Sequence, residues 1–329
     1  MRVHESILDL IGHTPLVRLR TGLPKDGPKA YVKLEFYNPT GSVKDRMTFY
    51  IIKKALNEGV IKPGDTVIDN TSGNTGSALA MMASLMGLKA IVTTPVKTSK
   101  EKIDLIKSYG AEVIVTPEVD LHDDPEGCFM VARRMAKEHG YFDLNQYDSQ
   151  DNVEAHYVST GPEIWEDTEG KLTHFVCGIG TGGTFSGTAR FLKEQNPKVR
   201  TIAVDPEGSI FAEYIKSNKH GQPYAYKVEG IGSDVVTKAL HPHLVDDVIT
   251  VSDKDSFNRA RLIARQEGIS GGGSSGAVAY AIEKVAHDVG PDAVIVGIFA
   301  DAGIRYLSKC YNDSWMRQHG YLPKSEVTQ

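Results

Sequence analysis

Short apolar runs alternate with helical periods along almost the whole chain, and that alternation restricts the fold more than any single motif. Segments 30–35, 66–69, 89–94, 111–115, 173–177, 199–204 and 292–298 are mostly apolar throughout. Strands covered on both faces of a parallel sheet have this pattern. Helical periods over 45–57, 75–86, 99–109, 126–139, 183–195, 255–267 and 275–288 fall between them. The series reads β-α-β, which builds open α/β sheets with ligands at the carboxyl ends of the strands. At 329 residues the chain is longer than one core supports, so two domains are expected. A cluster of Asp, Asn and Gln at 143–152 marks the candidate boundary between them.

Composition narrows the partners. A net charge of -5, without any long Lys or Arg block, disfavours a nucleic-acid groove or an anionic membrane surface. The three cysteines, Cys128, Cys177 and Cys310, lie far apart, so neither a disulfide framework nor a Cys-x-x-Cys metal site is expected. The segment Met1–Leu10 carries His4, Glu5 and Asp9 and does not read as a signal sequence. No apolar run approaches the roughly 18 residues of a membrane span. These features predict a cytoplasmic protein acting on small molecules, with no metal site among its histidines.

The chemistry is expected in four strand-to-helix links. Lys44 lies in Asn38-Pro39-Thr40-Gly41-Ser42-Val43-Lys44-Asp45-Arg46, where a buried amine could act as a nucleophile. Burial, or the positive charge of Arg46, would lower its pKa. The run Cys177-Gly178-Ile179-Gly180-Thr181-Gly182-Gly183-Thr184 opens a helix. Its glycines let backbone amides converge on an anion beside threonine hydroxyls and a helix amino terminus, so a phosphate is the expected guest. The spacing is neither that of a nucleotide P-loop nor Gly-x-Gly-x-x-Gly. Asn70-Thr71-Ser72-Gly73-Asn74-Thr75-Gly76 offers uncharged donors suited to a substrate carboxylate, although helix capping alone would also account for Thr71, Ser72 or Asn74. Ser270-Gly271-Gly272-Gly273-Ser274-Ser275-Gly276 carries the same ambiguity.

Together the four links resemble the fold type II pyridoxal-phosphate enzymes of the cysteine synthase and cystathionine β-synthase family. The likeness runs from Ile11-Gly12-His13-Thr14-Pro15-Leu16 to Trp315-Met316. Asp205-Pro206-Glu207-Gly208-Ser209-Ile210, Val228-Glu229-Gly230-Ile231-Gly232 and the tail 312–320 are similar to the catalytic core of cystathionine β-synthases. The resemblance implies two open three-layer αβα domains, as in the tryptophan synthase β-subunit. Residues 35–150 would form a smaller, mobile domain, and 12–34 with 151–325 a larger one holding the cofactor phosphate. Residues 1–11 would pack at a homodimer interface.

It further implies pyridoxal 5'-phosphate bound covalently through Lys44, its phosphate held by Gly180, Thr181, Gly182, Gly183 and Thr184. Asn74 would bond the ring 3' oxygen, and Ser274 would face the ring nitrogen. Thr71, Ser72, Thr75 and Gln146 would hold the substrate α-carboxylate, with Gly230 and Ser233 on the side of the second substrate. Lys44 would remove and return the α-proton during β-replacement on a β-substituted L-alanine such as serine, O-acetylserine or cysteine. A thiol would be the incoming group, as in a cystathionine β-synthase.

The chain departs from that pattern in places. Ser233 stands where cystathionine β-synthases carry tyrosine, Asp69-Asn70 replaces Glu-Pro, and Ala300-Asp301-Ala302-Gly303-Ile304-Arg305-Tyr306 is closer to sulfhydrylases acting on O-activated serines. A cysteine synthase, or replacement by cysteine or an amine to give lanthionine or a diaminopropionate-type product, is therefore the alternative. A serine or threonine dehydratase shares the fold, but Ser42-Val43-Lys44-Asp45-Arg46 fits the synthases better. A non-catalytic cofactor-binding partner is disfavoured by Lys44, Asn74 and Ser274 together. The ends of the sequence predict neither a haem segment nor tandem regulatory domains. His13 and His156 read as polar-network residues.

Overall fold

Two sheets, each with helices on both faces, organise the chain, which the computed structural model describes over residues 3–71, 73–119 and 124–323. The order begins β1 (Leu16–Leu19), β2 (Lys29–Leu34), α1 (Lys44–Asn57), β3 (Thr66–Asn70), α2 (Asn74–Leu85), β4 (Lys89–Pro95), α3 (Lys100–Ser108), β5 (Glu112–Thr116), α4 (Cys128–His139) and β6 (Phe142–Asp143). It continues α5 (Gln150–Tyr157), α6 (Thr160–Asp167), β7 (His174–Gly178), α7 (Gly183–Gln195), β8 (Arg200–Pro206), α8 (Phe211–Ser217) and β9 (Asp247–Val251). The last elements are α9 (Asp253–Glu267), α10 (Gly273–Asp288), β10 (Val294–Phe299) and α11 (Asp313–Gln318).

The larger sheet has the order β1-β2-β10-β7-β8-β9, parallel except for the edge strand β1. The smaller is β5-β4-β3-β6 and wholly parallel. In each, alternate residues feed opposite layers. Val176, Ile202, Val204 and Ile295 join Phe257, Ala277 and Ile282 of α9 and α10 on one face of the larger sheet. Phe175, Cys177, Ala203 and Val296 join Ile164, Phe185 and Ala189 of α6 and α7 on the other. In the smaller sheet, Val67 and Val92 pack with Met47, Ile52, Leu79 and Met82 of α1 and α2, while Ile68 and Ile91 meet Ala132 of α4. Burial on both faces explains why these strands are continuously apolar.

All seven strands and seven helices expected from periodicity form, with ends shifted by at most two residues. β1, β6, β9, α5, α6, α8 and α11 were not anticipated. The polar cluster at 143–152 runs from β6, the last strand of the smaller sheet, into α5, which begins at Gln150 and packs between α1 and α7. Its polar residues are consumed internally: Asn152 is buried and donates to Gln146 O at 2.8 Å and Thr181 Oγ1 at 3.0 Å.

Candidate active site

Lys44 is the first residue of α1, and the turn before it is clamped to the end of β10. Val43 N donates to Ala300 O at 2.8 Å, and Ser42 bridges Asp301. Asp45 closes the turn by accepting from Thr40 N at 2.7 Å and from the Thr40 hydroxyl; burial pushes its carboxyl up to about 6. Burial also lowers the Lys44 pKa, opposed in part by Cys177, Asp301 and Asp69. A lower pKa favours the neutral, nucleophilic amine. Arg46 is not among the leading causes of the shift, contrary to the sequence expectation. It turns away from Lys44 into an ion pair with Glu35 and Glu163.

The glycine loop joins β7 to α7. Gly182 adopts φ +92°, and a Cβ there would lie 2.5 Å from the Leu240 backbone; one at Gly180 would lie 2.5 Å from Gly230 O. Only glycine fits either position, and the loop's amides stay open at the start of α7. Its threonines are oriented from behind. Thr181 Oγ1 accepts from Asn152, Thr237 Oγ1 donates to Thr181 O at 2.7 Å, and Thr184 Oγ1 pairs with His156 Nε2 at 3.1 Å. His156 Nδ1 pairs with Thr160 Oγ1 at 2.8 Å. Burial, with the charges of Arg46 and Lys44, pulls the imidazole pKa far down, so the ring is neutral.

Lys44, Gly180, Thr181, Gly182, Thr184, Ser274 and Gly230 line one cavity, which encloses about 410 Å³ between its walls and opening. Gly183 carries the loop into α7 beside it. Cys177, Val278, Ile298 and Ala300 complete an apolar lining. Ser274 is the second residue of α10 and is almost wholly buried. The Cys177 thiol is pushed up to about 12 by burial and stays protonated.

Of the remaining expected residues that the structure describes, Asn74, Thr71, Thr75, Gln146 and Ser233 are not among those lining this cavity. Asn74 starts α2 and donates from Nδ2 to Asp301 Oδ2 at 2.8 Å, while its buried Oδ1 has no partner among the described residues. Asp301 also accepts from Tyr306 Oη at 2.6 Å, an arrangement the sequence did not reveal. Thr71 Oγ1 accepts from Gly73 N at 3.0 Å, and Thr75 Oγ1 donates to Gln146 Oε1 at 2.8 Å. Ser72 lies outside the described residues. Ser233 is buried, its Oγ accepting from Val235 N at 3.1 Å within its own turn. Beyond them Glu229 pairs with Lys102, at 2.5 Å, and with Lys309, joining α3 to the loop before β9. The Lys102 ammonium also lies 5.1 Å from the Tyr306 ring. Among the described residues no cluster of His, Cys, Asp and Glu could hold a metal, and no helix is long and apolar enough to cross a membrane.

Comparison with known proteins places these features in one group. The chain is 42% identical over 325 residues to cystathionine beta-synthase of Apis mellifera, covering 98% of this chain and 64% of that protein. It therefore spans slightly less than two thirds of that relative. It is 39% identical over 305 residues to cysteine synthase of Staphylococcus aureus, covering 92% and 96% of the two chains. The crystal structure of O-ureido-L-serine synthase superposes with a TM-score of 0.87 at 32% identity over 96% of this chain and 99% of that one. That match extends to both sheets, as expected of fold type II. A family model described as pyridoxal-phosphate dependent enzyme matches residues 7–301, a span running from the first turn to the Asp301 contact of Asn74. With a family match over most of its length and this extent of likeness, the chain belongs to the pyridoxal-phosphate dependent enzymes.

Proposed function

We propose that this chain catalyses β-replacement on a β-substituted L-alanine, with a thiol as incoming group. The observation that carries this reading is the shared cavity of Lys44, the Gly180–Thr184 loop and Ser274. The cavity suits the cofactor on its own terms. The glycine positions leave no room for a side chain, the threonine hydroxyls are braced from behind, and Asn74, bonded to Asp301 next to the lining residue Ala300, keeps a buried oxygen without a partner among the described residues.

Pyridoxal 5'-phosphate, when bound, supplies an electron sink that acidifies the substrate α-carbon. Lys44 would hold it, Gly180, Thr181, Gly182, Gly183 and Thr184 would bind its phosphate, and Asn74 and Ser274 would meet its ring. A neutral serine shares a hydrogen bond without holding a proton on the ring nitrogen as an aspartate would. This favours prompt loss of the β-substituent over a long-lived carbanion. Lys44 would remove the α-proton and later return it, a role typically contributing about 10² to 10⁴ in rate. Thr71, Ser72, Thr75 and Gln146 would bind the α-carboxylate, and Gly230 and Ser233 would border the second substrate. In this reading residues 35–150 are the unit that closes on substrate, and the enzyme is a cytoplasmic homodimer with residues 1–11 at its interface.

Serine with homocysteine, the cystathionine β-synthase pairing, is the leading choice. Ser233 in place of tyrosine favours a second reading, an O-activated serine with sulfide, cysteine or an amine. Absorbance titration of the holoenzyme with serine, O-acetylserine, O-phosphoserine and cysteine identifies the donor, and a panel of thiols and amines identifies the acceptor. Product formation should vanish in Lys44→Ala; turnover surviving that substitution, or no spectral response to any donor, would sink the proposal. Rapid oxoacid release from serine or threonine without an acceptor would instead indicate a dehydratase.

A further inference from the structure

Gln146 is fully occupied. Its Nε2 donates both hydrogens, to Asp69 Oδ2 at 2.9 Å and to Asn70 O at 2.9 Å, and its Oε1 accepts from Thr75 Oγ1 at 2.8 Å. An amide has two donor hydrogens, and the Thr75 hydroxyl has one. Neither side chain can therefore donate to a carboxylate without first giving up a bond. Asp69, at the end of β3, Thr75 and Gln146 are all buried. The second Asp69 oxygen, Oδ1, has no hydrogen-bond partner among the described residues.

We propose that Asp69 is a positioning residue that withholds Gln146 from the amino-acid substrate, whose α-carboxylate binds by displacing the Asp69 carboxyl from the Gln146 amide. The inference rests on the carboxylate site proposed above. Asp69 is a competing acceptor of the same chemical type as the incoming group. It is set against the backbone of its neighbour Asn70, so Gln146 is presented in one fixed orientation. Donor affinity is then the difference between two similar bonds, and the Asp69 charge biases it.

The groups whose charge acts with that of Asp69 are Asp143 on β6, Tyr147 after it, Cys128 at the start of α4 and Lys44. Burial, and next the Asp143 charge, raise the Asp69 pKa well above the usual range, opposed by the Gln146 side chain and nearby amides. Its neutral form is the weaker acceptor and does not repel a carboxylate. Substrate affinity should thus fall as pH rises through the Asp69 pKa.

The test measures spectral dissociation constants of L-serine and O-acetyl-L-serine for holoenzyme carrying Asp69→Asn, with KM and kcat for whichever supports turnover. Asn is isosteric and uncharged at every pH. Asp69→Asn should tighten donor binding by about threefold to tenfold at pH values where Asp69 is ionised, a modest bias of the size one hydrogen bond supplies. The wild-type to variant ratio should grow with pH, which cancels ionisations of the substrate itself. Gln146→Ala should abolish the Asp69→Asn effect in a double-mutant cycle. Asp69→Leu, checked by thermal melting, gives the same direction without any acceptor. Weaker or unchanged binding in both Asp69 variants, or a ratio flat with pH, overturns the inference. Absence of any donor response in wild type overturns instead the carboxylate site on which it rests.

Discussion

Arg46 joins Glu163 through two parallel hydrogen bonds, Nη1 to Oε1 at 2.6 Å and Nη2 to Oε2 at 2.7 Å, across 117 residues of sequence. Arg46 also grips Glu35, Nε to Oε2 at 2.7 Å and Nη2 to Oε1 at 2.8 Å, and Lys33 reaches Glu163 at 2.9 Å. The cluster fixes α1, two residues after Lys44, to the end of β2 and to α6. Lys44 is thus placed by a neighbour whose guanidinium bonds carboxylates instead of its amine.

Arg46→Ala would leave Glu35 buried without its cation and Glu163 with Lys33 alone. Removing one partner of such a pair costs about 3–5 kcal/mol, so the variant should show that loss in urea unfolding. Arg46→Lys keeps the charge but not the fork that bonds two carboxylates at once, and should lose less. Burial alone would raise the Glu163 carboxyl, but Arg46 and Lys33 hold it at about 2. A depressed carboxyl stabilises the fold above its unfolded pKa, so this contribution disappears as pH falls from about 4.5 to 2. Glu163→Gln should remove that acid-side dependence.

Lys44 should combine with the cofactor at a pH where an ordinary lysine does not. Its burial favours the neutral amine, and the reactive fraction grows as pH rises through the lowered pKa. Stopped-flow reconstitution of apoenzyme with pyridoxal 5'-phosphate should therefore reach half its limiting rate below about pH 10.4, where an ordinary lysine titrates. A midpoint at or above that value would mean that Cys177, Asp301 and Asp69 outweigh burial.

Gly182→Ala separates backbone strain from steric exclusion when set beside Gly110→Ala. Both glycines have φ near +90°, but a Cβ at Gly110 meets nothing within 4 Å, whereas at Gly182 it meets Leu240 backbone atoms that cannot yield. Gly110→Ala should cost only the left-handed penalty, about 1–2 kcal/mol. Gly182→Ala should in addition weaken cofactor binding by about tenfold or more, equivalent to about 1.4 kcal/mol. Equal cofactor affinity in the two variants would show that the loop at Gly182 does not shape the phosphate site.

Much of this architecture is legible in the sequence because it is encoded locally. Periodicity marks strands buried on both faces, and clustered glycines mark links where backbone must bend or open. What escapes is whatever depends on buried polar pairing. Asn152 and His156 in α5 and Glu163 in α6 are buried polar residues satisfied by distant partners, so their burial leaves no apolar signal at those positions. β6 is only two residues long and exists because Val67 and Ile68 offer an edge. Arg46 misleads for the same reason: adjacency suggests that it acts on Lys44, but Glu35 and Glu163 claim it. Asp301 gives no local signal of its contact with Asn74, which lies 227 residues away.

His156 links the Gly180–Thr184 loop to the acid stability of the fold. Its pKa lies well below 6.5 because the ring is buried and faces the charges of Arg46 and Lys44. The unfolded state therefore binds a proton near pH 6.5 that the folded state refuses, and stability should decline as pH falls from about 6.5. Asp45 and Asp205 act oppositely in the lower part of this window. Both carboxyls are raised to about 6 by burial, so the folded state takes up protons before the unfolded one does. The total slope is thus a balance, and the His156 share must come from a difference. His156→Gln keeps polar atoms for Thr184 and Thr160 but cannot titrate. Melting temperatures of wild type and His156→Gln should converge as pH falls from about 7 to 5, because only wild type bears the growing cost. Cofactor affinity of the variant should weaken at every pH, since Thr184 loses the ring that orients it. Parallel melting curves with unchanged cofactor affinity would show that the His156 to Thr184 contact neither braces the loop nor governs the acid response.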